Sequence, residues 1–217
     1  MKPFRLLYGE EILPIIGDFP EIGSHLPSFM LVDDQFSDVA LGQFSNGPKA
    51  IITLLSLDET QHGGMRLLRD TLRFLERWPQ LQIVVISVDS PSTLRRIHKE
   101  HGLPRTILLS TLRGRDFHKH FGVLITEYPL AGYTAPALII ADAGNTVLYS
   151  ERLRDTLDDF SHHAIQENMS TWEMAQAEAL RAAQQAAAAA QAEAEEIERG
   201  EKAVADATEA QSDKPTR

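Results

Sequence analysis

Ala50-Ile51-Ile52-Thr53-Leu54-Leu55 is one continuous apolar run, and Gln82-Ile83-Val84-Val85-Ile86-Ser87-Val88 is a second. Runs of this kind, rich in β-branched residues, belong to strands covered on both faces. Between them Met65, Leu68, Leu72 and Leu75 recur at steps of three and four. That spacing lays one apolar stripe along a helix that stops near Pro79. Strand, helix and strand in this order describe half of a layered α/β domain.

The rest of the chain extends the same pattern. Pro91 to His101 reads as a second helix, with Pro91 in its first turn and Gly102 beyond its end. Arg115 to Phe121 makes a third helix and Thr156 to about Gln166 a fourth. Toward the N-terminus, Phe4 to Ile16 holds two extended runs around Gly9-Glu10, a hairpin pattern. Phe29-Met30-Leu31-Val32 forms a further strand, ended by Asp33-Asp34. Ala137-Leu138-Ile139-Ile140-Ala141 turns through Asp142-Ala143-Gly144-Asn145 into Thr146-Val147-Leu148-Tyr149, a closing hairpin. Strands alternating with single helices, then a terminal hairpin, predict an α/β sandwich.

Composition narrows the chemistry. With 43% hydrophobic residues in 217, the chain can bury a core without a metal or disulfide staple. It has no cysteine, which excludes disulfides, thiolate metal sites and cysteine nucleophiles together. A net charge of −10, with a pI near 5.2, argues against a nucleic-acid partner, which demands a basic face. Met1 to Glu10 lacks the apolar run of a signal peptide, and no stretch reaches membrane-spanning length without charges. The expectation is a cytoplasmic protein with no membrane partner.

Near Met169 the composition changes. Trp172 to Arg199 is dominated by Ala, Gln and Glu, with no Pro or Gly, so a long helix is expected there. Its large apolar residues are only Trp172, Met174, Leu180 and Ile197, which points to a mostly solvated helix. The expected division is a domain over 1–168, a helical extension over 169–200 and a disordered tail over 201–217.

Four stretches carry a family resemblance. They are Leu31-Val32-Asp33-Asp34-Gln35-Phe36-Ser37-Asp38-Val39-Ala40-Leu41-Gly42-Gln43-Phe44, Leu109-Ser110-Thr111-Leu112-Arg113, Phe121-Gly122-Val123 and Pro129-Leu130-Ala131-Gly132. In order and spacing they resemble the atypical two-cysteine thiol peroxidases, a bacterial branch of the peroxiredoxins. The resemblance runs from about Phe4 to Gln166. It implies a thioredoxin-like fold with an N-terminal hairpin, and a homodimer paired through the active-site face.

That family works through a Pro-x-x-x-Thr-x-x-Cys run, completed by an Arg from a later strand. A helix N-terminus and the Arg cation stabilise the thiolate, while backbone amides and the Thr hydroxyl hold the peroxide in line. Here the run is Leu55-Ser56-Leu57-Asp58-Glu59-Thr60-Gln61-His62. Leu55 stands at the proline position, Glu59 at the threonine and His62 at the peroxidatic cysteine. Pro136 stands at the arginine, and His98 at the resolving cysteine. The resemblance thus implies a peroxidase scaffold without its chemistry, a non-catalytic binding or scaffolding module. The Ala-rich helix, outside the resemblance, then adds an arm for a protein partner or for the second subunit. Antioxidant peroxidase activity is what similarity alone would assign.

The second expectation is a metal site. Glu59 and His62 lie three apart, as do His98 and His101, and three imidazoles with a carboxylate suit zinc or another divalent ion. The family's two cysteine positions begin well separated and meet only after the first helix turn unfolds. Gly63-Gly64 would ease that, at ~1 kcal/mol of helix weakening per residue. The plainer reading takes His62 and His98 as polar residues beside a former pocket. Three further groups, His118 with His120, His162-His163, and Arg95-Arg96 with Lys99, read as solvated surface. Asp58-Glu59, being adjacent, point apart and make poor paired carboxylates.

Overall fold

The computed structural model describes residues 4–58, 63–114 and 116–212, with side chains as far as residue 191. The apolar runs read above become the middle of the larger of two sheets. Strands β5 (Lys49–Thr53) and β6 (Gln82–Ser87) pair in parallel, with Ile51 opposite Val84 and Ile52 opposite Val85. β6 pairs in parallel with β7 (Thr106–Ser110), and β9 (Ala137–Ala141) pairs antiparallel with β5 on the other side. β10 (Val147–Arg152) closes one edge, while β3 (Met30–Asp33) and β4 (Asp38–Ala40) close the other. The sheet order is β10-β9-β5-β6-β7-β3-β4. A second, three-stranded sheet holds β1 (Phe4–Tyr8), β2 (Glu11–Ile16) and β8 (Leu124–Ile125).

Helix α1 (Gly64–Leu75) connects β5 to β6, and α2 (Pro91–His101) connects β6 to β7. Both crossovers advance in the same direction along parallel strands, so right-handed connections put the two helices on one face of the sheet. Met65, Leu67, Leu68 and Leu75 bury the inner face of α1, and Leu94 and Ile97 that of α2. Ser90 caps α2, its hydroxyl accepting from the Thr93 amide at 3.2 Å, ahead of Pro91 in the first turn. This is a thioredoxin-like α/β arrangement with an added N-terminal hairpin.

Lys49 is fully buried at the start of β5. Its Nζ donates to the Asp142 carbonyl at 3.0 Å and to Asn145 Oδ1 at 2.6 Å, so it fastens the β9–β10 turn to the sheet centre. Burial pulls its pKa below the usual lysine range, against the raising pull of Asp142.

Several elements differ from their sequence reading. The helix expected over Arg115 to Phe121 is the short α3 (Phe117–His120), and Arg115 lies outside the described residues. The helix expected from Thr156 starts instead at His162. Asp155 Oδ1 accepts the Leu157 amide at 2.9 Å, making a turn, and Ser161 Oγ then caps the helix by accepting from the Ala164 amide at 3.3 Å. The resulting α4 (His162–Ser212) is continuous through Gly200. Helix geometry continues beyond Gly200 into residues 201–212, where Ala, Glu and Lys resume. Residues 213–217 lie outside the described residues.

The chain divides into two compact units, Met1–Met169 and Ser170–Arg217. Within the first, the opening turns of α4 are anchored. Ile165 and Met169 are fully buried, His162 stacks on Phe74 with centroids 4.0 Å apart, and Arg77 donates to Gln166 at 3.0 Å. In the second, every side chain from Glu173 to Gln191 is exposed.

Candidate functional site

β5 ends at Thr53, and the chain continues as Leu54-Leu55-Ser56-Leu57-Asp58 toward the N-terminus of α1. Leu54, Leu55 and Leu57 are all buried. The leucine at the family's proline position thus anchors the loop by burial. Beyond Asp58, Glu59 and His62 lie outside the described residues, and the chain resumes at Gly63 with φ of 65°. A Cβ on the next glycine, Gly64, would collide with the Ser56 carbonyl. Glycine there lets helix and loop pack in direct backbone contact.

One carboxylate organises this loop. Asp89 Oδ1 accepts from Ser56 Oγ at 2.7 Å; Asp89 Oδ2 accepts from the Leu57 amide at 2.7 Å and from Ser87 Oγ at 2.8 Å. Ser56 Oγ in turn accepts the Asp58 amide at 3.1 Å. Asp89 stands just past the C-terminal end of β6, so the sheet itself positions it. On the other side, Thr134 Oγ1 donates to the Leu54 carbonyl at 2.5 Å and Thr53 Oγ1 to the Ala135 carbonyl at 2.7 Å.

Pro136 follows directly and is buried, its carbonyl accepting from the Leu153 amide at 3.0 Å. A proline ring supplies neither a cation nor an N–H, so position 136 cannot stabilise an anion in the loop.

His98 and His101, on α2, face different neighbours. His98 Nδ1 lies 3.6 Å from Asp34 Oδ2, on the β3–β4 turn. His101 Nδ1 lies 2.9 Å from Arg69 Nη2, on α1. Asp58 is met by Arg96, at 3.4 Å. Among the described residues no three His, Asp or Glu side chains gather as a metal-binding group. His118 is half-buried and its Nε2 has no hydrogen-bond partner among the described residues, whereas the sequence reading made it solvated surface. Burial pushes its pKa below the usual histidine value.

Sequence reasoning passed over Asp89, Ser56 and Ser87. The available signal was polar side chains in Ser87-Val88-Asp89-Ser90-Pro91, at the C-terminal end of a parallel strand where α/β sheets build their sites.

The fold and the loop together define a peroxiredoxin scaffold in a chain without cysteine. Residues 22–150 match the AhpC/TSA family. Thiol peroxidase from Vibrio cholerae is 26% identical over 147 residues, covering 67% of this chain and 87% of that protein. The solved structure of thiol peroxidase from Chromobacterium violaceum is 61% identical, with a TM-score of 0.77, covering 79% of this chain and 98% of that one. A peroxiredoxin-like protein from Aquifex aeolicus shares the fold at 21% identity, with a TM-score of 0.64 and coverage of 71% and 89%. The chain belongs to the AhpC/TSA family, as a divergent member without cysteine.

Proposed function

We propose that this protein has left cysteine peroxidase chemistry and serves as a non-catalytic binding or scaffolding module, as a homodimer. The carrying observation is the cysteine count of zero. Peroxiredoxin turnover needs a thiolate that attacks the peroxide, becomes a sulfenic acid and is reduced again. Imidazole at positions 62 and 98 cannot pass through that cycle. Supporting this, Pro136 supplies no cation, and Ser56 and Leu57 are committed to Asp89. What remains is an α/β platform with surface available for binding.

The test is steady-state consumption of hydrogen peroxide and an organic hydroperoxide by purified, metal-stripped protein supplied with thioredoxin and its reductase. The expected result is no turnover above buffer. Sustained, enzyme-dependent turnover would overturn the reading. Sedimentation velocity checks the dimer; a monomer at all accessible concentrations would remove that part alone.

A further inference from the structure

Helices α1 and α2 carry a charge that the chain as a whole does not. From Gly64 to Arg105 stand eight Arg and Lys against four Asp and Glu, in a chain of net charge −10. On α1, Arg66, Arg69 and Arg73 follow at steps of three and four, with Arg77 just beyond the helix end, and all four are exposed, which makes one ridge. On α2, Arg95, Arg96 and Lys99 are exposed as well. The contact of Arg69 with His101 at 2.9 Å joins the two ridges into a continuous surface. Along α2, Ser92, Arg95, Arg96, Lys99 and Glu100 line an open groove of about 500 Å³.

The cations in this groove are already oriented. Arg96 is held by Glu100 at 2.7 Å and by Asp58 at 3.4 Å. Arg95 donates Nε to the Asp34 carbonyl at 2.9 Å, and its guanidinium lies 5.7 Å from the centroid of the Phe36 ring, a residue 45% exposed. Exposed ion pairs hold by no more than about 1 kcal/mol, so incoming carboxylates can replace the internal ones at small cost. Guanidinium planes suit carboxylates, which they bind through paired hydrogen bonds.

We infer that the α2 groove, prolonged by the α1 arginines, docks a carboxylate-rich segment of a partner protein. This rests on the reading of the chain as a binding module and names the surface that binds. Two observations favour a peptide over a nucleic acid. Glu100, Asp58 and Asp70 sit among the cations, in reach of Arg96, Arg66 and Arg73, and they repel an unbroken run of phosphates. The net charge of −10 adds long-range repulsion against a polyphosphate strand.

Fluorescence anisotropy of a labelled Glu-rich peptide against the full chain tests this, at low and raised salt. Saturable binding is expected, weakened by about tenfold or more in the triple variant Arg95→Glu, Arg96→Glu, Lys99→Glu and also by salt. Lys99→Glu alone is expected to weaken it by a smaller factor, and circular dichroism verifies that both variants fold. Absence of saturable binding, or binding indifferent to charge reversal, overturns the proposal. Tighter binding of oligothymidine than of the peptide also overturns it. So does salt-sensitive self-association abolished by the triple variant, which would make the occupant a second copy. A failed peptide titration without peroxide turnover sinks only the docking surface; peroxide turnover sinks the underlying reading whatever the peptide does.

Discussion

Asp89 accepts three hydrogen bonds at once, two from hydroxyls of residues that are themselves buried, Ser56 and Ser87. Removing the acceptor leaves those donors without water or partner. Each unsatisfied group costs about 1–3 kcal/mol, so Asp89→Ala is expected to lower unfolding free energy by at least that much in denaturant titration. An unchanged midpoint would show that the loop holds itself without the carboxylate. His118 makes a second prediction, about pH. Its pKa is below the ordinary 6.5 in the folded protein because burial disfavours the cation. The unfolded chain therefore binds more protons just below pH 6.5, and stability falls as pH drops from there toward the folded-state value. His118→Gln is expected to lose less thermal stability than wild type between neutral and mildly acidic pH. A parallel decline in both proteins would contradict this.

At the scale of elements, the opening turns of α4 do the work of a core helix, although the same helix is solvated further on. Ile165 and Met169 are fully buried, each contributing about 1.5–3 kcal/mol. A chain ending at Ser161 is expected to melt well below one ending at Ser170, whereas the latter should keep the full-length Tm. Equal Tm values for the two truncations would contradict this anchoring. The sequence made this helix visible but not its start, because the turn over Asp155–Leu157 and the Ser161 cap depend on particular side-chain oxygens. Long apolar runs such as Ala50–Leu55 and Gln82–Val88 declared β5 and β6 plainly, since a strand buried on both faces has few alternatives. β4 and β8, three and two residues long, have no periodicity to read and exist through pairing with β3 and β2. The site was legible only where substitution of a residue type removes a chemistry, as at Pro136. Asp89 was missed because its role depends on meeting Ser56 across 33 residues of chain.

For the whole molecule, the AhpC/TSA scaffold is kept while cysteine is absent from the chain. The sheet, both crossover helices and the N-terminal hairpin are intact, and the loop at the old reaction centre is knit by hydroxyls and one carboxylate. A fold that persists without its nucleophile still offers surfaces, and the basic α1–α2 face is the one with the most distinct chemistry. The most direct test is a single-exposure experiment: purified, metal-free protein, mixed with substoichiometric hydrogen peroxide and no reductant, followed by residual peroxide over time. Peroxide is expected to persist as in buffer. Rapid loss of the added peroxide in step with protein concentration would contradict the account.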